Sequence, residues 1–375
     1  MQQALTIAPD LRLQQISQAR HAVLEEGRSP AGMLSAAWIE NSWRRCLSRG
    51  QQPGQSVAFE VLPARALQHT EEQHHDLLHA ARPVLEKLGR AIADTRYFAI
   101  LTDAQGVVVD VSGPIDRSDR RADLITRVGT DLSERSVGTT AIGAALNELQ
   151  PVWLHRGEHF FANTSVYSCA GAPLFGPDGH CAGMLDLTGI EAMERPELTH
   201  LAVQSACRIG NALLRSRPHS LLLRLNWPGH TLGFDADGLV CLDADGLIVG
   251  ANQIARQMVA QLANPHAGTV HIGDVFGVPY QMLFDAARRQ SPMIEVPLWS
   301  GLRLNALAIT HSREVDAGDG GSGMRPGEPA PLREVETVLI RKAVDDARGN
   351  VAQAARVLGI SRATVYRKIG NGKRH

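Results

Sequence analysis

Apolar positions recur at helical spacing or alternate at strand spacing along most of the chain, and the breaks between these patterns divide it into segments. Residues 11–26 and 35–49 read as two short helices, separated by Gly27, Ser29-Pro30 and Gly32 and closed by Gly50 at a C-cap position. Trp38 and Trp43 in the second read as packing anchors. After a polar stretch, Gly50 to Ser56, a long helical pattern runs from about Ala64 to Thr95, with a kink expected at Pro83. Strand signals follow. Phe98 to Thr102 and Val107 to Val111 flank Asp103-Ala104-Gln105-Gly106, which predicts a hairpin. Further strands are expected at Pro151 to His155, Ser168 to Phe175 and Cys181 to Leu187, the last pair turned by Gly176-Pro177-Asp178-Gly179. Ser136 to Leu149 reads as a helix between them, and Glu197 to Arg215 as a closing amphipathic helix. This is one α+β domain over residues 60–217, preceded by a helical segment 1–59.

A smaller unit, residues 218–310, repeats the theme. Gly238 to Leu242 and Leu247 to Ala251 flank the turn Asp243-Ala244-Asp245-Gly246, and Asn252 can cap a helix reaching about Leu262. A helix near Tyr280 to Arg288 and strands at Met293 to Trp299 and Leu302 to Ile309 complete it. Residues 311–330 are rich in Gly, Pro, Asp and Ser without periodicity, which predicts a flexible linker.

Residues 331–375 carry the strongest pattern. Pro331 starts and Gly349 stops an amphipathic helix bearing Leu332, Val335, Val338 and Leu339. Asn350 with Gln353 forms a capping-box-like start to a second helix, Val351 to Leu358, which Gly359 ends. Ser361 caps a third helix, and Ile360 can staple onto Val365. The turn Gly359-Ile360-Ser361 is the tight connection of a helix-turn-helix. Val365 and Ile369 face inward, which turns Arg362, Thr364, Tyr366 and Arg367 outward or to the flank, where a major groove could receive them, with Lys368 adding phosphate attraction. The alternative is a small bundle with a solvated basic face.

Charge sharpens that reading. Residues 331–375 hold ten Lys and Arg against four acids, a net of +6, while the rest of the chain holds 28 against 35, a net of −7. A basic tail on an acidic body points to a polyanion at one end. The five cysteines, Cys46, Cys169, Cys181, Cys207 and Cys241, are widely spaced with no Cys-x-x-Cys pair, which argues against a disulfide framework or a zinc knot and for a reducing cytoplasm. No apolar run approaches the ~20 residues of a bilayer span, and the first residues lack a signal-peptide layout, so neither secretion nor membrane residence is expected.

Residues 332–369, above all Gly349-Asn350, Ala354-Ala355 and Leu358 to Ile369, closely resemble the Fis-type helix-turn-helix that ends many bacterial enhancer-binding regulators. The resemblance implies DNA contacts at Ser361, Arg362, Thr364 and Arg367, with Asn350 nearer the backbone. It also implies binding to an inverted repeat of double-stranded DNA as a dimer. Ser42-Trp43-Arg44-Arg45-Cys46, Val137 to Gly143, Glu158-His159-Phe160 and Asp186 to Gly189 resemble the amino-terminal half of acetoin-catabolism-type regulators, in which a GAF sensor precedes a PAS-like domain. Thr140 departs from that pattern, where Asn is usual. A larger departure is that the AAA+ ATPase of such regulators is missing, because no Gly-x-x-x-x-Gly-Lys-Ser/Thr phosphate cradle is present. The resemblance therefore implies a multidomain α+β fold, with a GAF-type sensor, a smaller PAS-like domain and an all-α head, acting as an effector-responsive DNA-binding homodimer without ATP hydrolysis. The alternative is an ATPase-less modulator that forms mixed oligomers with a full-length relative.

Candidate effector-pocket residues are Trp153, His155, His159, Phe160, Tyr167 and Cys169, aromatic and weakly polar groups on neighbouring strands and their loop. Each has a plainer reading: Trp153 and Phe160 as core, Cys169 as an inert buried thiol, His159 as a loop hydrogen-bonder. Glu158 and Asp186 read as structural acceptors. His155 with His159, and His75 with His79, are four apart, but suit a metal only on a helix and lack a third ligand, so no metal or cofactor is expected. With neither a Gly-x-Ser-x-Gly elbow nor His-Glu-x-x-His, no catalytic residue is assigned and no enzyme is expected.

Overall fold

The computed structural model describes residues 9–29, 36–61, 63, 72–263, 270–289, 293–310 and 351. The chain divides into two compact units, Met1–His311 and Ser312–His375. In the second unit Val351 is helical; the expected linker and the DNA-contact residues Asn350, Ser361, Arg362, Thr364, Tyr366, Arg367 and Lys368 lie outside the described residues.

The first unit is mixed α/β with two antiparallel sheets. Sheet one contains β1 (Tyr97–Asp103), β2 (Val108–Ser112), β3 (Val152–His155), β4 (Tyr167–Phe175) and β5 (Cys181–Ile190), in the order β2-β1-β5-β4-β3. The β1–β2 turn forms because the Asp103 carboxylate accepts from the amides of Gln105 and Val107, while Gly106 takes φ +91°. One face of the sheet packs on α3 (His75–Ala91) and α7 (Leu198–Ser216) through Leu85, Leu88, Ala202 and Ile209. The other is covered by α1 (Pro9–Arg20), a π-turn at His21–Glu25, α2 (Ala37–Ser48), and the short helices α4 (Arg120–Ile125), α5 (Glu134–Val137) and α6 (Ala141–Glu148). Ala19, Val23, Ile39 and Trp43 are buried in the same core as Phe98, Ile100 and Leu154. The N-terminal helices thus complete the first sheet's core.

Two expectations about helices differ from the structure. The described part of the long helix is unbroken through Pro83 but stops at Ala91, after which Arg96 at φ +62° turns the chain into β1. The single helix expected over 136–149 is two, α5 and α6. Gly138 at φ +66° breaks it where a Cβ would stand 2.7 Å from the Phe161 ring, and Thr140 then caps α6 by accepting from the Gly143 amide.

Sheet two has the order β8-β7-β6-β10-β9, built from β6 (Leu221–Asn226), β7 (Gly238–Leu242), β8 (Ile248–Ala251), β9 (Ile294–Pro297) and β10 (Arg303–Thr310). The helices α8 (Gln253–Met258) and α9 (Tyr280–Arg288) accompany it, α8 capped by the Asn252 side chain as expected. Its central strand, β6, was not signalled by alternation, because Leu221-Leu222-Leu223 is apolar on both faces. Leu221, Leu223 and Leu225 enter the core of sheet two, while Leu222 meets Leu239, Cys241 and Leu214 of α7 on the reverse side. Polar bonds reinforce this seam. Asn252 donates to the Asn211 side chain at 2.8 Å, and the buried Arg256 guanidinium donates to the Pro177 carbonyl at 2.9 Å.

Truncating Leu222 to Ala should therefore loosen the seam as well as sheet two, lowering stability by about 2–5 kcal/mol in urea unfolding. A loss under ~1 kcal/mol would contradict its burial on the reverse face.

Candidate functional site

Between sheet one and the helices over it lies a small cavity walled by Ile100, Ile125, Leu132, Val137, Tyr167 and Cys169, with His159, Asp186 and Thr188 at its polar points. Its space is about 30 Å³ for the centre of a water-sized sphere. One water needs ~10–15 Å³ in such terms, so a molecule of a few non-hydrogen atoms has room.

Strand register explains which residues reach it. Ile100 pairs with Asp186, and Cys169 with both Thr188 and Leu154, so these side chains share one face. Trp153 and His155 alternate with Leu154 and point the other way. Trp153 donates to Glu194 at 3.4 Å, His155 Nδ1 meets the Ser168 hydroxyl at 2.9 Å, and their rings stack 6.3 Å apart. Of the six candidates, His159, Tyr167 and Cys169 line the cavity; Trp153 and His155 do not, which follows from the period of two along β3. Phe160 is fully buried core, edge-on to Phe161. Asp186, expected as a structural acceptor, does accept from the Thr188 hydroxyl and also lines the cavity, and the sequence signal for that place is the polar–apolar alternation Asp186-Leu187-Thr188 in the buried stretch of β5.

In this buried site His159 Nε2 lacks a hydrogen-bond partner among the described residues, and Asp186 Oδ1 has no nitrogen or oxygen donor, the Cys169 thiol being the group beside that carboxyl. His159 Nδ1 lies 2.9 Å from the Arg156 carbonyl, which only accepts, so Nδ1 carries the proton and Nε2 is a bare acceptor. The Thr188 hydroxyl donates to Asp186 Oδ2. Burial pushes Asp186 up to about 7 and drives His159 down to about 4. Burial, with Asp186 alongside, likewise raises the Cys169 thiol, so that it stays protonated, and burial first raises Tyr167 too. The residues lining the cavity include a neutral imidazole, His159, and a carboxyl, Asp186, that is protonated below about pH 7 and can then donate as well as accept.

The loop carrying His159 is held from outside the sheet. Arg12 pairs with the fully buried Glu158 at 2.6 Å, and Glu158 also accepts from the His155 amide at 2.8 Å. Ser42 and Arg45 of α2 and Arg49 at its C-cap converge on the buried Glu134. Burial tends to raise that carboxyl, but the bonds from Arg45 and Ser42 outweigh it and hold Glu134 below the ordinary value. His75 and His79 are indeed both on helix α3, rings 6.4 Å apart, and no group of three or more metal-ligating side chains occurs among the described residues. No described helix is long and apolar enough to cross a membrane.

The two cavity groups give opposite pH dependences. Asp186, raised from 3.8, contributes stability at low pH that fades as pH climbs through about 7. His159, depressed from 6.5, contributes stability at high pH that fades as pH falls through about 4. Across pH 4 to 6.5 they oppose each other. His159→Gln should therefore lose stability as pH rises toward 7, and Asp186→Asn should lose it more steeply than wild type on acidification, both read from urea midpoints. Unchanged pH slopes in both variants would count against the buried pair.

Residues 331–371 match the Fis family of bacterial regulatory proteins, and residues 15–211 match the MimR N-terminal domain. The chain is 35% identical over 260 residues to the acetoin catabolism regulatory protein of Cupriavidus necator, covering 67% of this chain and 38% of that protein. It is 33% identical over 169 residues to the acetoin dehydrogenase operon transcriptional activator AcoR of Bacillus subtilis, covering 45% and 28% respectively. With the propane 2-monooxygenase operon transcriptional activator MimR of Mycolicibacterium goodii it shares 30% identity over 180 residues, covering 47% and 29%. The matched chain thus spans well under half the length of these relatives. Because the MimR N-terminal match extends over more than half of the 375 residues and takes in both the helices and the sheet that enclose the cavity, the chain belongs to the MimR N-terminal domain family.

Proposed function

We propose that this chain is a ligand-responsive transcriptional regulator whose C-terminal Fis-type segment binds duplex DNA and whose first sheet encloses the effector. The observation that carries the ligand half is the buried imidazole acceptor His159 Nε2, without a partner among the described residues, on the same largely apolar cavity as the buried Asp186 carboxyl. An orphan buried acceptor costs about 1–3 kcal/mol, which a bound molecule recovers. The favoured ligand is small and uncharged, with a hydroxyl for His159 and a second oxygen for Asp186. Two of the relatives are named for acetoin, whose adjacent hydroxyl and carbonyl have that form.

In this reading residues 60–217, completed by the N-terminal helices, are a GAF-type sensor and 218–310 a PAS-like domain. Residues 331–375 form a DNA-reading head in which Ser361, Arg362, Thr364 and Arg367 contact DNA. A homodimer presents two such heads to an inverted repeat. The ligand shifts occupancy by binding two states of the sensor unequally. No ATP hydrolysis enters, and the setting is the cytoplasm.

Two measurements test the halves separately. Acetoin should raise the melting temperature of the wild-type chain in a concentration-dependent manner. His159→Phe, which keeps the ring's bulk and removes the acceptor, should abolish the rise; an equal rise in both would place the ligand elsewhere. Arg362→Ala should weaken binding to the gene's own upstream DNA by ~1–3 kcal/mol at fixed salt. Retardation equal to wild type would reject the third helix as the reading element, and failure of the wild-type chain to bind alone would favour the mixed-oligomer alternative.

A further inference from the structure

The loop that brings His159 to the cavity has four successive backbone carbonyls, 157 to 160, and every one is bonded by a side chain from the N-terminal helices. Arg20 Nη1 donates to the carbonyls of Gly157, at 2.8 Å, and His159, and Arg20 Nη2 donates to Phe160 at 2.9 Å. The fourth, Glu158, accepts from the indole N–H of Trp43 at 2.9 Å. The Arg20 guanidinium also lies 5.6 Å over the Trp43 ring, so the two donors brace each other. Burial lowers the Arg20 pKa and no carboxylate touches its guanidinium among the described residues, an arrangement with a desolvation cost and no ion pair to offset it. Its bonds are all to loop backbone. The apolar seam there is narrow: of α1, Ile16 and Ala19 are buried, Ile16 against Gly157 of the loop. A groove of about 560 Å³ opens beside it, between Leu13 and Ser17 of α1 and Gly157 and Ser165 of the loop.

From this we infer that Arg20 and Trp43 are positioning residues for the ligand site: they fix the 157–160 backbone and thereby hold the His159 ring at the cavity wall, which makes the N-terminal helices α1 and α2 part of the sensor. The inference rests on the reading that the cavity takes a ligand. Guanidinium suits the task because its rigid fork spans several carbonyls at once, whereas an ammonium is a single point donor that cannot hold the same three. Lysine at position 20 therefore keeps the charge and loses the geometry.

The test uses the full chain. Arg20→Lys should speed amide hydrogen exchange at residues 157–161 at least ten-fold. It should also move the His159 ring pKa, followed by NMR of labelled histidine, upward from about 4 toward the ordinary 6.5, since the ring gains water. Because the charge is retained, such a rise reports loop movement and not a lost cation. Trp43→Phe removes one donor at nearly constant bulk and should give a smaller change at the same segment, and it decides the matter if Arg20→Lys fails to fold. Arg44→Gln, which breaks an exposed pair with Glu40, is the control and should alter neither readout. With acetoin as the probe, Arg20→Lys should also weaken binding about ten-fold. Unchanged exchange and unchanged ring pKa in the folded variants overturn the inference. If wild type itself does not bind acetoin, the ligand assignment fails while exchange and ring pKa still decide the positioning role.

Discussion

A buried carbonyl must find a donor, and the sheet has none to give residues 157 to 160, which leave β3 at its end and cross to β4. That constraint makes Arg20 and Trp43 necessary, and with them the helices that carry them. The same logic applies to two buried carboxylates. Glu158 draws in Arg12 of α1, and Glu134 draws in Ser42 and Arg45 of α2 and Arg49 at its C-cap. Ala19, Ile39 and Trp43 then seal the core beneath. The N-terminal segment is thus tied to the 157–160 loop and to α5 largely by charge-assisted hydrogen bonds, directional contacts that fix its register as well as its presence.

The cavity itself is lined by two titratable groups whose charged forms burial disfavours. A carboxyl and an imidazole share the space, and burial disfavours the charged form of each, the acid moving up and the base down. Tyr167 and Cys169 contribute shape, being held protonated by the same burial.

The second sheet is joined to the first through its central strand. Leu222 on the reverse of β6 meets α7 through Leu214, and the Asn252 to Asn211 and Arg256 to Pro177 bonds border that contact. Any shift of α7, which packs on the face of sheet one opposite the cavity, is therefore felt by sheet two, the sheet from which the chain continues toward the Fis-family segment.

Much of this was legible in the sequence for local reasons. Asp103 and Asp243 each precede a turn glycine by three residues and hold the same hairpin geometry, and Asn252 caps its helix as its position implies. The charge contrast between residues 331–375 and the rest is a property of composition alone. The family resemblance rested on short motifs whose residues are in contact: Ser42 and Arg45 from one reach Glu134, and Ser42 also meets Thr139 of another. What the sequence could not fix was which face of β3 meets this cavity, because both faces are largely buried and no polar side sets the phase; the register turns Trp153 and His155 to the other face. Nor could it distinguish β6 from a buried helix, or place Asp186 on the cavity as well as beside the Thr188 hydroxyl. Those depend on register and on which side chains arrive from a hundred residues away, and only the packed chain brings Arg20 to the carbonyls of Gly157, His159 and Phe160.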